Sequence, residues 1–538
     1  MDNGLDGRIF PINLTDDPNK TDYDCIIFVS ENLDFTDPQL QFLKAPLQER
    51  KTNDSNFEKD ISFIDIDGNV QRLVYVPIGP VNRDYDDVRR YYDAACNGMK
   101  RAIKAGSKKP VLAFPSTTSF EHTWTVSAFG ALHALYTPIE VAVSDATKAL
   151  KVEFLAIFYS GTVEIGDRLL EYVKAVEIGR MVCRDIGASD PEFSCTSEVE
   201  KYVLKVLGND PTIKITVTKG TDVLKQNYPL LAAVDRAASV TERHQGRVIN
   251  FDYIPLEKAA ILNTVMLVGK GVAFDTGGAD IKTGGNMRGM NRDKSGAAAV
   301  AGFFKILSIL RPAGIRVRGT MAMVRNGVGP EMYVPDEIIK AASGVRIRVN
   351  NTDAEGRFAM GDCLYHMKEE AIGQPNPHIY TFATLTGHCI RTYGPHYSGI
   401  MENGPAKKLN ICQFFQAAGD STAEPCEIST LRREDFDASV SKTEYDDFYQ
   451  SNKVSGDRGH QYAAVFLQRA SGLDKHGLDS ATQLPYVHID IAGSIGLYPD
   501  MPTAVPLLGL SALYLRDRVI GKQREHHKNI NVKRINKK

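Results

Sequence analysis

Short apolar, β-rich runs limit this fold more than any other feature of the sequence. TIKITVTKG, RVINFDYI, AILNTVMLVG, IRVRGTMAMV, VRIRVN, HIYTFATLTG and VHIDIAG recur from residue 212 onward, with helical patterns between most of them. Such runs suit strands buried on both faces, which places them in a parallel or mixed sheet with helices packed above and below. A second series, CIIFVS (25–30), LVYVPIG (73–79), PVLAFP (110–115) and KVEFLAIFYS (151–160), alternates with helix-like segments around 83–106 and 124–135. Between the two series, IGDRLLEYVKAVEIGRMVCRDIG (165–187) carries the 3.6-residue spacing of a long helix. The expected architecture is α/β in two domains. A smaller N-terminal α/β domain spans 1–165 and a linking helix 166–190. A larger C-terminal domain, with a mixed sheet flanked by helices, spans 191–515, and a basic tail follows over 516–538.

Two of the strand-like runs end in chemistry. In LVGKGVAFDTGGADIKTGGNMRGMNRDKSGAAAV an apolar strand delivers Lys270, Asp275, Lys282 and Asp293 into glycine-rich loops ahead of an alanine-rich helix. In VRIRVNNTDAEGRFAMGDCLYHM a strand delivers Asp353, Glu355 and Arg357 to the start of another helix. Open α/β sheets collect their sites at such strand ends. Four carboxylates and two lysines cannot share a buried site without further positive charge. Two divalent cations would supply it, and a pair ~3.5–4 Å apart needs carboxylates to bridge it. Asp353 and Glu355, read as an extended segment, are expected on one face. A nearby dication lowers a lysine pKa, so Lys270, close to Asp275, is suited to bind metal as a neutral amine. Lys282 would stay charged, suited to polarising a carbonyl and stabilising an oxyanion, and Arg357 offers a planar fork for an anion. No P-loop, nucleophile-elbow or H-E-x-x-H pattern occurs. Phosphoester hydrolysis shares the two-metal logic, but the histidines found in many such sites are missing here.

The residues now resemble a known family. NTDAEGR (351–357) is similar to the signature heptad of the leucine aminopeptidases, cytosolic dinuclear-zinc exopeptidases. VGKGVAFDTGG (268–278) resembles their first metal-binding strand end, and ATLTG (383–387), AAVFL (463–467) and HIDIAG (488–493) are weaker matches. The resemblance covers roughly 180–515 and makes 191–515 the catalytic domain. It implies that Lys270, Asp275, Asp293 and Glu355 hold one metal, and that Asp275, Asp353 and Glu355 hold the other. Zinc is the expected metal, with manganese as the alternative. The implied reaction releases N-terminal residues from short peptides when a metal-bridging water attacks the first peptide carbonyl. Lys282 would stabilise the oxyanion, and bicarbonate held at Arg357 would move the proton. The resemblance also implies a homohexamer, and a substrate pocket that includes Met290, Lys294, Thr384, Gly387 and His388. A family member kept as a metal-stabilised scaffold or binding protein is the alternative function.

Several positions depart from the family pattern. His388 stands where a small residue is usual, Lys294-Ser295 where Met-Gly is common, and Arg325-Asn326 where Glu-Asn is frequent. His388 and Lys294 are expected at the pocket wall, favouring polar or acidic first residues. An acidic stretch containing Glu434, Asp435, Asp437, Glu444, Asp446 and Asp447 reads as a solvated loop, and His488 as a core histidine.

Charge and composition narrow the partners. Sixty-four Lys+Arg against 66 Asp+Glu leave a net charge of −2, which offers no general field for nucleic acid. Nine Lys/Arg against two Asp/Glu in the final 23 residues read as a solvated end rather than a polyanion-binding arm. The start lacks the pattern of a secretory signal, and no run approaches the ~18 apolar residues that cross a bilayer. Eight cysteines without metal-binding spacing read as buried apolar residues in a reducing compartment. The expectation is a cytoplasmic protein without membrane or nucleic-acid partners.

Overall fold

The computed structural model describes residue 5 and residues 7–117, 119–257, 259–452 and 456–521. The tail beyond 521, with His526 and His527, lies outside the described residues.

The N-terminal sheet has six strands: β1 (Ile12–Thr15), β2 (Cys25–Ser30), β3 (Ser62–Asp65), β4 (Arg72–Pro77), β5 (Pro110–Ala113) and β6 (Leu155–Phe158). Their spatial order is β1-β6-β5-β2-β4-β3, and every pairing is parallel except β3 with β4. Alternation along β2 explains why both faces are covered. Ile27 and Val29 point into a core shared with α1 (Arg89–Lys104) and α2 (Thr123–Leu135), whereas Ile26 and Phe28 point into a separate cluster with Leu40 and Leu47.

Helix α3 (Val163–Ala188) follows, and its inner face carries charge as well as apolar side chains. Glu177 pairs with Arg180 at 2.6 Å and with Arg184 at 2.7 Å, all three buried. Arg180 donates to the Tyr92 hydroxyl on α1, and Arg184 donates to the Pro502 carbonyl far along the chain. A buried Arg8–Asp185 pair, joined by the hydroxyls of Tyr136 and Tyr202, ends the same helix.

The larger sheet is built from β7 (Ile213–Lys219), β8 (Arg247–Tyr253), β9 (Asn263–Asp275) and β10 (Ile315–Asn326), with later strands added around them. Next along the chain come β11 (Ile338–Lys340), β12 (Arg346–Arg348), β13 (Pro377–Ala383), β14 (Ser398–Glu402), β15 (Cys426–Ile428), β16 (Phe448–Tyr449) and β17 (Tyr486–Asp490). Eight of these strands lie in the order β15-β14-β17-β13-β9-β10-β8-β7. The central four, β17, β13, β9 and β10, are mutually parallel, and antiparallel partners flank them. VRIRVN is an exception to the expected burial. Its β12 joins β11 and β16 in a separate three-stranded sheet, because Arg346 and Arg348 seek Asp447 and Asp446 rather than a core. Two of the acidic residues expected in a solvated loop, Asp435 and Asp446, are therefore buried and paired, Asp435 with Arg458.

Helix α4 (Ser295–Leu310) lies directly on the central strands. A Cβ added at Gly296 would sit 2.1 Å from the Phe382 carbonyl oxygen of β13 and 3.0 Å from the Lys270 nitrogen of β9. Glycine is required there by backbone contact, which no rotamer change relieves. Gly296→Ala is expected to destabilise the protein by about 1–3 kcal/mol through overpacking, measured as a lowered thermal midpoint. An unchanged midpoint would mean that the helix can lift off the strands without cost.

Candidate metal centre and substrate cavity

Register brings the first lysine and the first aspartate together. Lys270 and Asp275 are five residues apart, so a regular strand would point them to opposite faces. The β9–β10 ladder pairs Val324 with Val272 but Asn326 with Asp275, which inserts one extra residue into β9. This bulge restores a common side at the carboxyl end of the strand. The close approach of α4 then seats Asp293, just before the helix, beside Lys270.

The expected extended segment at Asp353 and Glu355 is instead a turn. Thr352–Ala354 forms a single 3-10 turn, and Glu355 opens α5 (Glu355–Ala371). The Asn351 side chain accepts from the Asp353 amide at 3.0 Å, and Asp280 accepts from the Thr352 amide at 2.7 Å. Local side-chain capping of this kind favours a turn over a strand. Both carboxylates nevertheless reach the cluster, through the change of chain direction rather than through alternation.

Carboxylate oxygens of Asp275, Asp293 and Glu355 lie within 4.8 Å of one another, all three residues buried. Lys270 Nζ is 2.7 Å from Asp293 and 2.9 Å from Glu355. Lys282 Nζ lies 2.9 Å from Asp275 and 2.5 Å from Asp353. Burial opposes charge on both lysines, but the surrounding carboxylates outweigh it and raise both pKa values. Burial pushes the Asp293 carboxyl well up, against the opposing pull of Lys270. Asp353 is pushed to about 7 by burial and by Glu355 and Asp275. Arg357 donates to the Gln450 carbonyl at 3.1 Å, and burial lowers its pKa.

All seven of these residues line one cavity of about 640 Å³, together with Met290, Thr384, Gly387 and His388. Lys294 is the correction. It does not line the cavity: its side chain is fully buried, turned towards the Asn291, Ala273 and Ser189 carbonyls. Burial lowers its pKa to about 7. Arg325 is likewise directed elsewhere, over the Phe274 ring and towards Glu192 and His244. His488 is a core histidine held by Thr381 at 2.7 Å. All eight cysteines are buried and free.

Asn326 and Asp490, outside the expected set, complete the site together with the expected pocket residue Thr384. Asn326 donates to Asp275 at 2.8 Å and to the Thr352 carbonyl at 3.1 Å, tying the two strand ends together. Thr384 donates to Asp293 at 2.7 Å, and its carbonyl accepts from Lys270 at 3.0 Å. Asp490 accepts from the Leu385 and Ala492 amides and the Thr386 hydroxyl, fixing the loops after β13 and β17. A carboxylate at the end of the apolar run VHIDIAG was the available signal for that last role.

Comparison with known proteins first gives the class. The fold is that of solved leucine aminopeptidases. A tomato leucine aminopeptidase mutant superposes with a TM-score of 0.78 at 21% identity, over 94% of this chain and 97% of the other. The Trypanosoma brucei leucyl aminopeptidase bound to actinonin gives 0.77 at 19% identity, over 97% of each chain. The bottromycin maturation enzyme BotP, solved with Mn, gives 0.73 at 20% identity over 91% and 98%.

Sequence then gives the family. Residues 181–506 match the catalytic domain of the cytosol aminopeptidase family, and the chain belongs to that family of peptidases. A Caenorhabditis elegans protein named provisionally as an aminopeptidase is 42% identical over 84% of this chain and 86% of its own length. A Persephonella marina protein named as a cytosol aminopeptidase is 31% identical over 60% of each. Among the described residues, no helix is long and apolar enough to cross a membrane.

Proposed function

We propose that this protein is a dimetal exopeptidase that releases N-terminal amino acids from short peptides. The observation that carries the reading is the unbalanced charge of the cluster: four carboxylates, buried Asp275, Asp293 and Glu355 and half-buried Asp353, are ion-paired only with Lys270 and Lys282 among the described residues. Asp293 Oδ2 and Glu355 Oε2 are buried without a hydrogen-bond partner among the described residues. Unpartnered buried carboxylate oxygens beside like charges fit a cation site. Lys270, Asp275, Asp293 and Glu355 would hold one ion, and Asp275, Asp353 and Glu355 the other. An oxygen-rich set with one amine accepts zinc or manganese, and the Mn bound to the similarly folded enzyme BotP supports the latter.

When bound, such a pair supplies Lewis acidity and lowers the pKa of water. The protein's own groups do the rest. The Lys282 ammonium, on the loop after β9, donates to the oxyanion that develops on the peptide carbonyl. The Arg357 fork holds a small anion, for which bicarbonate is suited, beside Glu355 at the start of α5. The cavity admits a short peptide and excludes a folded chain. Relatives named as cytosol aminopeptidases support a cytoplasmic setting, and the family resemblance supports a homohexamer.

The test is hydrolysis of aminoacyl p-nitroanilides and dipeptides by zinc- or manganese-loaded protein against chelated protein. Release of the first residue only, lost on chelation and restored by metal, is expected. Two bound metals with no turnover would instead establish the scaffold reading.

A further inference from the structure

One wall of the cavity carries donors that the metal cluster does not use. Helix α6 (Gly387–Tyr393) places His388 and Arg391 three residues apart, hence on neighbouring positions of one face, and both line the cavity. The Arg391 guanidinium folds back to within 3.5 Å of the point where a side chain on Gly387 would begin. The other cationic side chains of the cavity have protein partners. Lys270 and Lys282 are held by carboxylates, Arg292 by the Gly496 and Asp500 carbonyls, and Arg357 by Gln450. Arg391 is exposed and has no hydrogen bond or ion pair among the described residues.

His388 is oriented from behind. Its Nδ1 lies 2.7 Å from Nδ1 of the buried His460, whose Nε2 lies 2.8 Å from the Ser429 hydroxyl. Ser429 Oγ also accepts from the Gln461 amide at 2.8 Å. Ser429 and His460 are both satisfied when Ser429 donates to His460 Nε2 and His460 Nδ1–H donates to His388 Nδ1, while Gln461 Oε1 keeps no partner among the described residues. The proton of His388 is then on Nε2, which has no hydrogen bond among the described residues and is left as an N–H donor. Burial and the neighbouring Arg391 hold the His388 pKa below its usual value, which keeps the ring neutral. Asp457, the acidic group that acts on His388 through space, is exposed and ion-paired with neither side chain.

A cationic fork and a neutral N–H donor, side by side without an acceptor between them, match a carboxylate. We propose that Arg391 and His388 form a carboxylate subsite in the cavity wall and so set which peptides are preferred. This assignment rests on the aminopeptidase reading and deepens it. The carboxylate has two sources, an acidic substrate side chain or the terminal carboxylate of a short peptide.

Two matched pairs separate them: Leu-Gly against Leu-Gly amide, and glutamyl against glutaminyl p-nitroanilide, each with the metal-loaded full-length protein. At least one carboxylate-bearing member is expected to be favoured by about 10- to 100-fold in kcat/KM, as for a charge-assisted hydrogen bond. The pair that shows the preference identifies the source. Arg391→Gln should collapse the ratio, Arg391→Lys should keep part of it, and His388→Ala should reduce it. Equal kcat/KM within both pairs, or a ratio unchanged in Arg391→Gln, overturns the subsite while leaving leucyl p-nitroanilide release intact. If no substrate at all is turned over, the aminopeptidase reading fails separately. Calorimetric titration of Leu-Gly and its amide into the wild type and Arg391→Gln then decides the subsite by affinity alone.

Discussion

Replacing Lys282 with alanine is expected to lower kcat by about 100- to 1,000-fold, the usual cost of losing one preorganised oxyanion donor. The expectation follows from where the ammonium stands. Lys282 reaches into the cavity from the loop after β9, 2.9 Å from Asp275 and 2.5 Å from Asp353, while keeping 14% of its side chain exposed. A group fixed only by two carboxylates can turn towards an oxyanion as charge develops there, whereas Lys270, 4% exposed and enclosed by Asp293, Glu355 and the Thr384 carbonyl, cannot. The loss should fall on kcat more than on KM, because the donor acts on charge that exists only in the transition state. Steady-state kinetics with leucyl p-nitroanilide, together with metal analysis of the variant, would check this. A tenfold loss or less with both metals retained would remove Lys282 from the oxyanion role, and loss of metal would make it a cage residue.

The parts of this protein that could be read from sequence are those whose chemistry repeats locally. Apolar runs located β9, β10, β13 and β17 because both faces of these strands are buried, and carboxylates at their ends pointed to the cluster. The one-residue bulge before Asp275 has no such signal, since it is fixed by pairing with β10 and not by local preference. VRIRVN misled for the opposite reason: its alternation is that of a strand, but its arginines find acidic partners in a small separate sheet. Lys294 was misplaced because position after a metal-ligand candidate says nothing about side-chain direction. The helix start turns it beneath the backbone, where carbonyls receive it. Arg391 was missed because an arginine in a short helical segment is usually solvated, and only the fold shows that it faces the same space as His388.

The long helix α3 shows the same limit most sharply, and gives the largest expected change in stability. Its 3.6-residue pattern announced a helix but not that Glu177, Arg180 and Arg184 would all be buried. Glu177 is the shared anion of two guanidiniums, each oxygen taking one, while the arginines extend to Tyr92 on one side and Pro502 on the other. Glu424, also buried nearby, is pushed up to about 8 by burial and is therefore a weak substitute for the missing charge. Glu177→Ala should thus leave two buried cations uncompensated and cost about 3–5 kcal/mol, as for other broken buried pairs. Glu177→Gln, which keeps hydrogen-bonding atoms but not the charge, should cost less. The measurement is the thermal midpoint of both variants, with limited proteolysis reporting whether the contacts of α3 with α1 and with the Pro502 segment open before the rest. If the alanine variant unfolds at the wild-type temperature, the two arginines can be neutralised or hydrated where they stand, and the Glu177 cluster does not hold the two parts of the chain together.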